Sequence, residues 1–432
     1  MIIELEELVK NGEIEIKTGP FGTQLKAAEY VESGTPVLNV KNLGYSTVVT
    51  TKVDYVGEKT LERLSMHILK EGDIVFGRKG AVDRHAYIGA NEAGWMQGSD
   101  CIRLRVKTNK INPRYLSYYF LTPKHKAFMI SMCSHGTTMA SLNQGILSKI
   151  EIDLPERCIQ DRIVSIIAVL DKKRKTNEKL NKNLEQQAEA LFHSLFVENA
   201  NPTWKDGMLS DLGTVVAGGT PSKTKPEYYS EQGIAWITPK DLSLNKSKFI
   251  SHGEIDISEL GFYKSSATKM PTGTVLFSSR APIGYIAIAA NEVTTNQGFK
   301  SVVPNENVGT SFMYYLLKFL LPTIEGMASG STFKEISGAG MKSVPVVIPD
   351  NETIEKFNAF CTPIFQQQEV LEAENSRLSD IRDALLPMLM SGELDVSDIN
   401  LYVAKFLFTT KNVTKKGVIN LWLAFIPKQT LK

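Results

Sequence analysis

Apolar residues recur at steps of seven along two stretches of the chain. In the first stretch Ile159, Ile166 and Leu180 mark one stripe, and Ile163, Leu170, Leu184 and Leu191 fill a second. In the other, Phe357, Ile364, Leu371, Leu378 and Leu385 keep the same interval. This spacing predicts long helices that pack along their length, each able to reach ~60 Å if forty residues are helical. A plain amphipathic helix on a domain surface is the other reading of the same pattern. Charge favours mutual packing: residues 157–196 carry eight Lys/Arg and five Asp/Glu, whereas residues 352–391 carry three and seven. Opposite fields suit helices lying side by side. Polar residues on the seam (Lys173, Asn177, Gln187) would set register. Pro363 predicts a kink or a break in the second helix.

Upstream of each helix the pattern changes to short β-branched runs, such as "GTPVLNV", "GDIVFG", "GTVLFSS" and "YIAIAA", punctuated by Gly and Pro. These segments repeat. "TGPFGTQ" answers "AGGTPSK", "GTPVLNVKNL" answers "GIAWITPKDL", and "LKEGDIVFGRKGAV" answers "MPTGTVLFSSRAPI". "MQGSDCIRL" answers "TNQGFKSVV", "RYLSYYFL" answers "SFMYYLLK", "SHGTTMASLN" answers "ASGSTFKEIS", and "IEIDLP" answers "VPVVIP". Seven loose matches in one order indicate duplication of a large unit. The pattern divides the chain into an α+β domain (1–155), a long helix (156–198), a second α+β domain (199–350), a second long helix (351–394) and an atypical tail (395–432).

Composition narrows the class. With 432 residues, 42% apolar and 22% charged, the chain suits two or three globular domains. A net charge of +2 means that any nucleic-acid binding must rest on local patches. Cys101, Cys133, Cys158 and Cys361 show no C-x-x-C spacing, which points to a reducing compartment and argues against a zinc site. The acidic start "MIIELEELVKNGEIEI" does not look like a signal peptide, and no apolar run reaches the ~18 residues of a membrane helix. The expected location is the cytoplasm.

Catalytic signatures are missing. "VVAGGTPSKTKPEYY" suggests a phosphate cradle, but it lacks the Gly-Lys pair of the nucleotide-binding loop, and Pro226 discourages a helix directly behind it. No G-x-G-x-x-G opens a βαβ unit. "INPRYL" differs by one residue from the Asn-Pro-Pro-aromatic motif of adenine methyltransferases and reads as a helix start with Pro113 in its first turn. "EIK" (15–17) has no upstream Asp with which to share a metal. The loops do carry donors suited to DNA. The first copy offers Lys17, Thr18, Gln24, Lys26, Lys41, Asn42, Arg78, Lys79, Arg84, His85, His135, Thr137, Thr138, Asn143 and Gln144. The second offers Thr220, Ser222, Lys223, Lys225, Lys240, Ser279, Arg280, Ser329, Ser331, Thr332 and Lys334. Lys and Arg suit phosphates and guanine edges, and Asn and Gln suit adenine. Any one of them could be an ordinary solvated loop residue; the recurrence of such residues in both copies carries the reading.

Several of these stretches together resemble the specificity subunit of a type I restriction–modification system. The resemblance rests on "GGTPS" with its following "YY", "IAWITPKDL", "GTVLFSSRAPIGYIAI", "TNQGFKSV", "GSTFKEIS…VPVVIP" and "DALLPMLMSGELDV", and it covers about residues 1–398. The first copy departs most, with "TGPFGTQL" in place of the Gly-Gly-Thr-Pro loop. The resemblance implies two target-recognition domains, each reading one half of a split, asymmetric double-stranded DNA target. It implies that the long helices form an antiparallel coiled coil with pseudo-two-fold symmetry, set the gap between half-sites and dock two methyltransferase subunits. It implies that this chain holds no catalytic centre, cofactor or metal, while its methyltransferase and motor–nuclease partners use S-adenosylmethionine, ATP and Mg. Two other classes compete: a stand-alone methyltransferase or nuclease with a cryptic site, and a coiled-coil scaffold with no DNA role.

Overall fold

A computed structural model of the chain describes residues 2–21, 24–133, 140–330 and 334–396. It divides into two compact units, Met1–Lys173 with Arg377–Lys432, and Arg174–Ser376. Both long helices run through the division, so each unit contains part of each. Among the described residues no helix is long and apolar enough to cross a membrane.

In the first unit, strands Ile14–Thr18 (β1), Ile74–Gly77 (β2), His85–Tyr87 (β3) and Cys101–Val106 (β4) form an antiparallel sheet in the order β1-β4-β2-β3. A second, smaller sheet joins Tyr30–Val31, Asp54–Val56, Thr35–Leu38 and Met96–Gln97. Ile2–Glu4 pairs antiparallel with Glu151–Asp153. Helix α1 (Pro113–Tyr119) begins where Asn112 Oδ1 accepts the amides of Arg114 and Tyr115, with Pro113 in the first turn, where its missing N–H costs nothing. Ile74, Phe76 and Leu104 from the sheet and Tyr115, Leu116 and Tyr118 from α1 share one core with Ile163, Ile167, Leu170, Leu378, Leu386 and Leu389 of the long helices.

The second unit repeats the plan. Strands Gly213–Ala217 (β5), Phe249–Ile250 (β6), Val275–Ser279 (β7), Ile283–Ala289 (β8) and Lys300–Pro304 (β9) are ordered β5-β9-β7-β8-β6. Its first four strands reproduce the order of the first unit, and β6 adds a parallel edge to β8. Helix α2 (Thr310–Phe319) covers this sheet; Phe312, Met313, Tyr315 and Leu317 share a core with Ala188, Phe192, Phe357, Cys361 and Ile364 of the long helices.

The first long helix is Arg157–His193, continued by a π turn over Ser194–Glu198. The second is Asn351–Ser391, ended by Gly392 in the left-handed region (φ 72°). Within the second unit the helices run antiparallel: Asn177 meets Glu374 and Asn375, Asn181 meets Glu372, and Gln368 meets Glu185.

Of the seam residues expected from the heptads, Ile163, Ile166, Leu170, Phe357, Ile364, Leu371 and Leu378 are buried, and Leu184, Leu191 and Leu385 are half-buried. Ile159 and Leu180 are corrections, being 38% and 43% exposed. A straight helix drifts ~20° per seven-residue step, so the first stripe keeps only Ile166 in the seam, and Ile167, Ala188 and Phe192 are buried beside it. Among the polar seam candidates Asn177 is buried, whereas Lys173 and Gln187 are exposed. Pro363 does not break the second helix; it lies on an exposed face, and the neighbouring Thr362 hydroxyl donates to Asn358 O at 2.7 Å.

Candidate nucleic-acid interface

In each unit four segments are joined by backbone hydrogen bonds into one frame. In the first unit the loop after β1 starts at Gly19, whose N–H donates to Cys101 O at 2.8 Å. A Cβ on Gly19 would lie 2.0 Å from Gly98 O, so only glycine fits. Buried Gln97 supports the loop, its Nε2 donating to Lys17 O (3.0 Å) and Cys101 O (3.1 Å). The turn after β2 is held by Arg78 N to Asp100 O (2.8 Å), Leu142 N to Arg78 O (2.7 Å) and Gly80 N to Ala140 O (3.0 Å).

The second unit shows the matching frame. Gly219 N donates to Thr295 O at 2.8 Å, and a Cβ on Gly218 would lie 2.0 Å from Asn296 O. Ser279 N donates to Gly298 O (2.7 Å) and Ile336 N to Ser279 O (3.1 Å). Gly19 and the glycines of "AGGTP" therefore serve close backbone contact between loops.

Several sequence candidates gather on these frames. In the first unit Gln144 Nε2 donates to Thr18 Oγ1 at 2.8 Å, the Arg78 guanidinium lies 5.3 Å from the Phe21 ring centroid, and exposed Lys79 stands 3.9 Å from Asp100. Lys17 is half-buried, and Gln24 and Lys26 are exposed farther along the same loop. Asn143 spends its Oδ1 capping the short helix Gln144–Ser148. In the second unit Thr220 donates to Gln297, and Arg280 and Lys300 converge on Glu335 at 3.4 and 3.5 Å. Ser329 N donates to Glu335 O. Lys223 and Lys334 are exposed; Ser222 shares a hydrogen bond with Thr224, and Lys225 lies 3.7 Å from Glu227.

Other candidates lie apart from these frames. Lys41 pairs with Asp54 at 2.7 Å and Lys240 with Glu254 at 2.5 Å, equivalent positions in the two copies. Arg84 sits 5.7 Å from the Tyr45 ring, which Lys126 also approaches at 4.7 Å.

Three candidates are corrected. Asn42 is fully buried and donates to Val49 O and Thr51 O, closing its own loop. His85 is buried with Nε2 at 3.0 Å from both Ser117 O and Ser117 Oγ; burial, reinforced by His125, pushes its pKa down to about 3, which keeps it neutral. Ser279 is fully buried, its hydroxyl donating to Gly298 O. Each of these polar groups is satisfied inside the fold, so none faces a ligand. His135, Thr137, Thr138, Ser331 and Thr332 lie outside the described residues.

The structure adds residues that the sequence reading passed over: Phe21, Gln297, Lys300 and Glu335. Gln297 was within reach, because "QG" recurs in both copies. Glu335 was not, because an acid does not look like a DNA ligand; here it orients the fork of Arg280. Among the described residues no group of His, Cys, Asp and Glu is placed to hold a metal.

Comparison with known proteins adds four findings. The family model for the type I restriction modification DNA specificity domain matches residues 7–186 and again 201–377. Over 155 residues the chain is 41% identical to the type I restriction enzyme MjaIX specificity subunit of Methanocaldococcus jannaschii, a match spanning 35% of this chain and 36% of that subunit. Over 413 residues it is 22% identical to the HindI specificity subunit of Haemophilus influenzae, covering 78% of this chain and 89% of the relative. The fold is similar to the crystal structure of a type I restriction–modification system S subunit from M. genitalium, with a TM-score of 0.56 at 16% identity over 90% of this chain and 96% of that one.

Proposed function

The chain belongs to the type I restriction–modification DNA specificity family, and from that membership we propose that each of its two recognition domains reads one half of a bipartite, asymmetric DNA target. The observation that supports this most directly is the pair of loop frames, built alike but carrying different side chains. One presents Thr18, Phe21, Arg78, Lys79 and Gln144; the other presents Thr220, Lys223, Arg280 and Gln297 with Glu335 behind the arginine. Different donors on a common frame suit two different half-sites, with Arg matched to guanine, Gln to adenine, and lysines to phosphates.

In this proposal residues 1–155 and 199–350 are the recognition domains, and the helices over 156–198 and 351–394 set the unread gap and dock two methyltransferase subunits. The chain itself is non-catalytic and works in the cytoplasm. S-adenosylmethionine serves the methyltransferases, and ATP and Mg serve a motor–nuclease subunit. Linked modules gain affinity only when the spacing between their sites fits.

The test is adenine-methylation mapping of host DNA with the native chain and with a variant carrying seven extra residues in each long helix. The expected result is a bipartite motif that depends on the chain, with both half-sites kept and the gap changed in the variant. A motif that persists without the chain, or half-sites that change with the insertion, would sink the reading.

A further inference from the structure

Each unit carries one half-buried carboxylate of the first long helix that is gripped by its recognition domain. In the second unit it is Glu185. Tyr315 of α2 donates its hydroxyl to it at 2.9 Å, Lys318 donates at 2.9 Å, and Lys248 pairs with it from the loop before β6. Lys248 is 7% exposed, lies 4.1 Å from the Phe365 ring centroid, and donates to Gln368 of the second long helix at 2.7 Å. Next to it Glu372 accepts the backbone amides of Lys248 (3.0 Å) and Phe249 (3.1 Å), and Asn181 as well. Burial alone would push the Glu185 carboxyl up; the two ammonium groups outweigh it and hold the carboxyl down at about 2.

The first unit has a counterpart at Asp171. Tyr118 of α1 donates to it at 2.8 Å, Arg114 approaches at 3.3 Å and Arg382 at 3.8 Å. Tyr118 and Tyr315 are equivalent in the repeat, yet the accompanying cations come from different elements. Arg114 leads its helix and stacks on Tyr87 and Tyr118, whereas Lys248 and Lys318 flank Tyr315. The tyrosine–carboxylate link is thus kept in both copies while its cationic partners differ.

Apolar contacts between domain and helices are non-directional and tolerate rotation. A half-buried carboxylate with several donors tolerates it less, because a turn of the domain leaves a partly desolvated charge without its partners. We propose that Glu185 and Asp171 are positioning residues, which fix the angle of each recognition domain on its helix segments and thereby sharpen the length of unread DNA between the half-sites. The proposal rests on the helices setting that gap. One base pair changes the separation of the half-sites by about 3.4 Å and their phase by about 34°, so a modest swing of one domain is enough to admit a neighbouring gap length.

The experiment uses the full chain with its methyltransferase partner and maps methylation for Glu185→Gln and for Asp171→Asn, both close in shape to the native residue. Both half-sites should stay unchanged, while discrimination between the preferred gap and a gap one base pair longer or shorter falls about tenfold. A uniform loss of methylation with the gap profile intact would mean that the carboxylates merely stabilise the fold, and would overturn the proposal. If Glu185→Gln does not fold, Tyr315→Phe removes one hydroxyl only, and an unchanged gap profile there overturns it equally. The seven-residue insertion separates the two ideas. If the insertion moves the gap and these substitutions do not, the positioning role fails and the spacer reading stands; if the insertion does not move it, the spacer reading itself fails.

Discussion

His85 and His125 show how little a side chain's type says about its place. His85 is of a type suited to DNA, yet it opens strand β3, and both rings lie in the core of the first unit, 5.8 and 4.8 Å from the ring centroid of Phe120. Burial lowers each imidazole from 6.5 to about 3, with His125 adding to the effect at His85 and Lys126 at His125. An unfolded chain takes up these protons as pH falls through 6.5, whereas the folded chain does not until about 3. Between those values the unfolded state binds more protons, so stability falls as the pH drops. At pH 5 the loss is about 2 kcal/mol per imidazole. Urea unfolding midpoints measured at pH 7 and pH 5 should therefore differ, and His125→Phe should shrink the difference. An unaltered difference would show that His125 does not contribute to it.

The long helices were the most legible elements, because a seven-residue repeat survives any uncertainty about the domains they join. Which residue of each turn faces the seam was less legible. Ile159 and Leu180 fit the interval but point outward, while Ala188 and Phe192 lie inside without belonging to an obvious stripe. The period indicates that a seam exists; drift along a real helix decides its members. Pro363 misled in the other direction, since an exposed proline can sit in a helix that is held by packing on its opposite face. The duplicated domains could be read from seven weak matches in order. The interface could be read only in part, because Gly19 and Gly218 betray a close approach but not its partner. Asn177 is the one polar seam residue that the pattern placed correctly, and it donates to Glu374 at 2.7 Å and Asn375 at 3.1 Å. Asn177→Ala should lower stability by about 1–3 kcal/mol, measured by chemical denaturation, because the half-buried Glu374 loses a donor. A change within error would assign the register to the apolar residues alone.

At the scale of the molecule, the two proposed reading surfaces are built separately and predict separable losses. Arg78→Ala should relax one position in one half of the methylated motif by about 1–3 kcal/mol of discrimination, and Arg280→Ala should do the same in the other half. Methylation mapping of the two variants checks this, and loss of both halves together in either variant would contradict independent reading. The loop frames are tied by main-chain groups: Gly19 to Cys101 and Leu142 to Arg78 in one unit, Gly219 to Thr295 and Ile336 to Ser279 in the other. Replacing Lys79, Gln144, Lys223 or Arg280 breaks none of these bonds. With the loops reading DNA as proposed, a lineage can alter what they recognise by point mutation with little loss of stability, and natural selection can explore new target sequences while the architecture that presents them stays fixed.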